Sequence, residues 1–148
     1  MNSQPNIRRQ AKSGGLAVTA SLIIVAGLLV LPAMALHRHS LDLRWVGAYA
    51  VIVSALTYWA YERDKRRAQG GEWRISESQL HLWELIGGWP GAWIAQRRLR
   101  HKCSKGSFQF VFWLIVLTHQ FAAADSLHDW QLSRAALRWL KQTPEQRR

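Results

Sequence analysis

Apolar and polar positions are sharply segregated along the chain. Residues 16–36 read LAVTASLIIVAGLLVLPAMAL without a charge, enough at ~1.5 Å per residue to cross a hydrocarbon core of ~30 Å. They predict a transmembrane helix. Arg8, Arg9 and Lys12 precede it and place the N-terminus in the cytosol by the excess of positive charge found there. The same stretch also reads as a signal peptide, with Ala33-Met34-Ala35 as a small-x-small cleavage site. In either reading Leu36 lies outside.

A second span is predicted at 45–61, with Trp45, Tyr49, Tyr58, Trp59 and Tyr61 as an aromatic belt at its two ends. The short link 37–44 predicts that the first two spans pair as an antiparallel hairpin. Glu62-Arg63-Asp64-Lys65-Arg66-Arg67 then marks a cytosolic edge. A third span is predicted at 108–124, where His119 and Gln120 either sit at the opposite interface or face another helix.

Residues 80–95, LHLWELIGGWPGAWIA, are apolar but carry His81 and Glu84 and are interrupted by Gly87, Gly88, Trp89, Pro90 and Gly91. Two glycines and a proline break a helix, and broken backbone at membrane depth survives only where protein or water covers it. A re-entrant helical hairpin satisfies this, with Trp89 plugging its tip; a fourth, kinked span is the alternative. Counting basic residues by side gives the same total for both. Re-entry avoids exposing Arg97, Arg98, Arg100, His101 and Lys102 outside, so it is preferred. In the tail, 127–141, Leu132, Ala135, Ala136, Trp139 and Leu140 share one helical face opposite Arg134, Arg138 and Lys141, as in a helix lying among headgroups.

The expected architecture is therefore all-α: a polytopic integral membrane protein with three transmembrane helices, a broken re-entrant hairpin and a C-terminal amphipathic helix. It divides into a basic cytosolic N-terminus (1–15), a first helix and external loop (16–44), a core (45–124) and a tail (125–148). Its expected location is a bacterial inner membrane, multi-pass, with the N-terminus cytosolic. Composition agrees where it bears on the question. Hydrophobic residues make up 49% of the 148, which excludes a disordered chain, and Cys103 is the one cysteine, which excludes an intrachain disulfide. The net charge of +11 implies anionic partners.

Two basic clusters bracket the broken segment. One contains Asp64, Lys65, Ala68, Trp73, Arg74, Ile75, Ser76 and Glu77; the other contains Arg100, His101, Lys102 and Lys105. Ser76 reads as a helix N-cap, with Glu77 in the favourable first turn. Together with Leu80-His81, Gly87-Gly88, Pro90-Gly91-Ala92 and Phe108, this string resembles a bacterial membrane-protein family known as domain of unknown function twelve ninety-four. The resemblance covers about 45–123. Some members carry an N-terminal cold-shock domain, which implies a cytosolic N-terminus; the present sequence does not show that domain. The chain departs at Ser76, where the family tends to have Pro, and at Cys103, where Thr is common. The resemblance implies class and topology and adds little mechanism.

If the hairpin re-enters, both clusters lie at one membrane surface. Lys65, Arg74, Arg100, His101, Lys102 and Lys105 are then candidates for holding an anion, since Arg forks and a proton-sharing His suit phosphate better than bare charge does. The plainer alternative is a positive-inside anchor. Asp64 and Glu77 either form exposed bridges with Lys65 or Arg74, lock the two clusters together as a buried pair, or act with His101 as acid/base groups. His81 and Glu84 share a helix face at metal-ligand spacing, but no third ligand is near in sequence, so no metal and no cofactor is expected. Gly87, Gly88, Pro90 and Gly91 are assigned to the structural turn.

Three functions follow. The first is a binding or scaffold protein presenting a basic cytosolic site to a phospholipid headgroup or nucleic acid. The second is a membrane enzyme acting on a lipid headgroup or polyprenyl carrier. The third is an oligomeric transporter or channel component using Glu84. Membrane lipids, an anionic ligand and further copies of the chain are the expected partners.

Overall fold

The computed structural model describes residues 6–142, with side chains at Thr19 and 22–141. The side chains of Arg8, Arg9 and Lys12, and Arg147 and Arg148 of the tail, lie outside the described residues. All regular structure among the described residues is helical: α1 (Asn6–Arg38), α2 (Leu43–Gly70), α3 (Glu77–Trp83), a π-helical turn (Glu84–Gly88), α4 (Trp89–Leu99), α5 (Gly106–Leu127) and α6 (Gln131–Gln142).

Local chemistry sets these ends. The Asp42 carboxylate accepts the Arg44 amide at 2.9 Å and starts α2. Gly71, at φ 68°, closes α2 in the left-handed conformation that glycine adopts without a Cβ clash. The helix runs on past the second predicted span because its charged end is itself helix-forming and carries an i,i+4 pair, Glu62 with Arg66 at 2.6 Å. Ser76 caps α3 by accepting the Gln79 amide at 3.2 Å.

α3 and α4 form a helical hairpin against α2. The outer ends of both meet the C-terminal end of α2: the Ile75 amide donates to Asp64 (3.1 Å), and Lys65 Nζ donates to the Leu99 carbonyl (2.9 Å). The hairpin tip lies toward the other end, where the Tyr49 hydroxyl donates to the Ile86 carbonyl at 2.7 Å. α3 therefore runs antiparallel to α2, and α4 returns parallel to it.

The GGWPG segment does two separate jobs. Only Gly87, at φ 108°, supplies the conformational break. Gly91 instead lets α4 touch the α2 backbone, and Gly88 makes room for the Thr57 side chain of α2. A Cβ on Gly91 would lie 2.0 Å from the Ser54 carbonyl oxygen, and one on Gly88 would lie 1.9 Å from Thr57 Oγ1. Pro90 sits in the first turn of α4, where its missing N–H costs no helical bond. Trp89 is buried beneath the tip.

α1 packs mainly against α5 and hardly against α2, so the expected pairing of the first two spans is not how the bundle closes. Gln120 of α5 donates to the Leu28 carbonyl at 2.8 Å, and Arg38 reaches Asp129 at 2.9 Å just beyond α5. α1 and α5 thus run parallel. Of the two readings of Gln120, the structure shows the one in which it faces another helix. The shared core holds Tyr61, Leu80, Trp89, Ala92, Trp93, Phe108, Phe112 and Val116. Tyr61 belongs to this core and not to the surface belt.

Among the described residues, one helix, α5, is long and apolar enough to cross a membrane. The described apolar part of α1, Leu22–Arg38, is shorter, and α2 joins its apolar half to a highly charged one. Even so, the flanks of the bundle carry large exposed apolar side chains: Ile23 is 71% exposed, Val51 69%, Phe110 71% and Leu117 61%. α6 turns Leu132, Trp139 and Leu140 outward as well. Its first turn is held by Asp125, which accepts the Leu132 amide (2.9 Å) and the Ser133 amide (3.0 Å).

Candidate functional site: a carboxylate latch at the basic end of the bundle

Asp64 is the centre of the site, and its side chain is 0% exposed. An isolated carboxylate cannot be buried at tolerable cost, and this one is surrounded. Oδ1 accepts the Ile75 amide, while His101 Nε2 lies 2.8 Å from Oδ2, Arg74 3.5 Å and Lys102 3.9 Å. Burial pushes its pKa up, but the His101 hydrogen bond and the Arg74 and Lys102 charges outweigh that and hold the carboxyl below the usual range.

Glu77 forms a second node nearer the surface. Lys102 Nζ donates to Oε1 at 2.6 Å and Lys105 Nζ to Oε2 at 2.8 Å. Those two hydrogen bonds, Lys102 first, draw the Glu77 pKa down to about 2. Lys102, whose side chain is 7% exposed, thus bridges both carboxylates.

The 100–105 loop is shaped to deliver these groups. Arg100 (φ 47°) and Lys102 (φ 62°) both adopt the left-handed conformation, which costs a non-glycine residue ~1–2 kcal/mol. The turn swings His101 and Lys102 inward and leaves Arg100 pointing away, exposed. The Cys103 thiol donates to the Gln96 carbonyl at 2.8 Å, adding to the Arg100 and His101 amides that the same carbonyl accepts at the end of α4. A Thr hydroxyl there can donate the same bond.

The structure therefore gathers Asp64, Arg74, Glu77, His101, Lys102 and Lys105 into one network. It uses Lys65 as a clasp on α4 and sets Arg100 apart. Asp64 is buried and Glu77 partly exposed, and Lys102 joins the two carboxylates. Neither Asp64 oxygen has a face open to a substrate.

One layer deeper lies a polar chain. Glu84, 0% exposed, accepts the Tyr61 hydroxyl on Oε1 and has His81 Nδ1 2.6 Å from Oε2. Gln96 donates to the Tyr61 oxygen at 3.1 Å, and Gln109 donates to Gln96 (2.7 Å) and to the Lys102 carbonyl (2.9 Å). This chain links the hairpin to α2 and α5, and His81 packs on Phe108 with ring centroids 4.2 Å apart. Both Glu84 oxygens are occupied, and among the described residues no three His, Cys, Asp or Glu side chains gather so as to hold a metal. The i,i+3 spacing of His81 and Glu84 was visible in the sequence. Tyr61, Gln96 and Gln109 carried no such signal.

Comparison with known proteins singles out the same region. The family described as "Protein of unknown function (DUF1294)" matches residues 54–108, which contain the latch, the hairpin and Phe108. A protein of Bacillus subtilis (strain 168), described as "Uncharacterized protein YsdA", is 37% identical over 65 residues, covering 44% of this chain and 73% of that protein. No solved structure matches the chain.

Proposed function

The chain belongs to the DUF1294 family of proteins of unknown function, and we propose that it is a membrane-embedded binding or scaffold protein whose basic bundle end takes an anionic phosphate headgroup at the cytosolic surface. On this reading α1, α2 and α5 cross a bacterial cytoplasmic membrane. The hairpin dips in and returns, and α6 lies among headgroups on the far side.

One observation carries the proposal: outward-facing apolar side chains girdle the helices, while the cations collect where α2 and α4 end and α3 and α5 begin. Arg63, Arg66, Arg67, Arg74, Arg97, Arg98, Arg100 and Lys105 stand there around the Asp64 and Glu77 latch. A soluble monomer rarely leaves large apolar side chains exposed along several helices, and basic residues beside span ends face the cytosol. Because the latch sets three cationic side chains, Arg74, Lys102 and Lys105, against the two carboxylates, it fixes the cations in place and leaves a net positive charge. Arg74 and Lys105 remain half exposed and able to bind.

The test uses full-length protein in zwitterionic nanodiscs, titrated with short-chain phosphatidylglycerol and separately with polyuridine RNA. The expected result is binding of the anionic lipid, weakened in Arg74→Gln and Arg100→Gln. Binding of RNA alone, with the steep salt dependence of phosphate neutralisation, would move the ligand to nucleic acid. Binding of neither above a charge-matched membrane protein would end the proposal.

A further inference from the structure

We infer that the groove between α2 and α3 is a binding site for one anionic phospholipid, with the acyl chain against the apolar half and the phosphate between Arg63 and Arg67. The groove encloses about 610 Å³, within the ~300–1,000 Å³ of small-molecule sites. Its lining is graded along one direction. Leu56 and Trp59 of α2 face Leu82 and Trp83 of α3 in the half toward the hairpin tip. Arg63 and Arg67 follow one and two turns further along α2, at the basic end of the bundle. The opposite wall runs antiparallel from Leu82 and Trp83 to Gln79, with Ile75 beyond it at the basic end, so the charge gradient is carried by α2. An amphiphile with one anionic head has the matching gradient; a free phosphate or an apolar peptide matches only half of it.

The two arginines are poised rather than consumed. The Arg63 guanidinium rests over the Trp59 ring, 5.1 Å from its centroid, which orients it at the mouth. No carboxylate lies within ion-pair distance of Arg63 among the described residues. Arg67 has only loose partners, the Trp73 carbonyl at 3.4 Å and Glu72 at 3.9 Å. A phosphodiester oxygen offers each a stronger, charge-assisted bond. The Asp64 latch uses neither of them.

This inference rests on the membrane-embedded reading above and draws on Arg63 and Arg67 of the same basic end, but it uses none of the latch residues. Full-length protein is reconstituted in phosphatidylcholine bilayers, and the protein-associated fraction of spin-labelled phosphatidylglycerol is compared with that of spin-labelled phosphatidylcholine by electron paramagnetic resonance. The expected result is a preference for the anionic label that falls about tenfold in Arg63→Gln/Arg67→Gln and falls by less in Arg74→Gln/Arg100→Gln, which leaves the groove intact. A second variant, Leu82→Trp, fills the apolar half without touching charge and is expected to reduce association of the anionic label too. Preference retained in the Arg63/Arg67 variant but lost in the Arg74/Arg100 variant would overturn the groove and leave the bundle-end reading standing. No preference in the wild-type protein would overturn both.

Discussion

Replacing Asp64 by Asn tests the latch at its centre. The substitution keeps the shape and retains an acceptor for the Ile75 amide, but it removes the charge that faces Arg74, His101 and Lys102. Breaking a buried pair by deleting one partner costs ~3–5 kcal/mol, because the other charge stays behind desolvated. Arg74 is half exposed and Lys102 keeps Glu77, so the low end applies, about 3 kcal/mol. That is a large share of a stability of ~5–15 kcal/mol. The assay is reversible unfolding of the full-length protein in mixed micelles, followed by tryptophan fluorescence at a series of pH values.

The pH dependence has a definite sign. The folded-state pKa of Asp64 lies below its unfolded value of ~3.9. Its stabilisation is therefore complete above that value and is lost as pH falls through the lower folded one. The gap between wild type and Asp64→Asn should be full at pH 7 and narrow as the medium is acidified below ~4. A variant within ~0.5 kcal/mol of wild type at pH 7, or a gap that persists unchanged in acid, would refute the latch as a stabilising charge network.

Further predictions follow from single contacts. Gly91→Ala should destabilise by ~1–3 kcal/mol, since its Cβ would meet the Ser54 carbonyl. Gly47→Ala, with nothing within 4 Å, should be neutral or gain up to ~1 kcal/mol in the same unfolding assay. Cys103→Thr should keep wild-type stability, while Cys103→Val should lose ~1 kcal/mol with the bond to the Gln96 carbonyl. Asp125→Ala removes the acceptor for the first turn of α6. It should cost ~0.5–2 kcal/mol and, in limited proteolysis, speed cleavage near Trp130.

How much of this was legible in the sequence depended on the range of the signal. The apolar run of α5, the amphipathic face of α6 and the Ser76 cap are local patterns, and each appears within a few residues of its expected place. The extension of α2 to Gly70 was missed because a run of charges reads as a surface edge, although Glu62 and Arg66 support each other on a helix. Gly88 and Gly91 read as turn residues because composition cannot distinguish a bend from a close helix contact; only Gly87 bends. The partners of Asp64 and Glu77 lie up to 37 residues away. Spacing could nominate both carboxylates but could not choose their cations. Tyr61 looked like a belt residue for a similar reason: its role depends on Glu84, a turn and a helix away.

The central claim is that the hairpin returns, placing the 100–105 loop on the cytosolic side and α6 on the other. Membrane-impermeant maleimide labelling in intact cells tests this directly, with Ser104→Cys and Gln131→Cys each in a Cys103→Thr background. The account predicts labelling at position 131 and protection at 104 until the cells are opened. Labelling at 104 with protection at 131 would mean that the broken segment crosses, and the account would be contradicted.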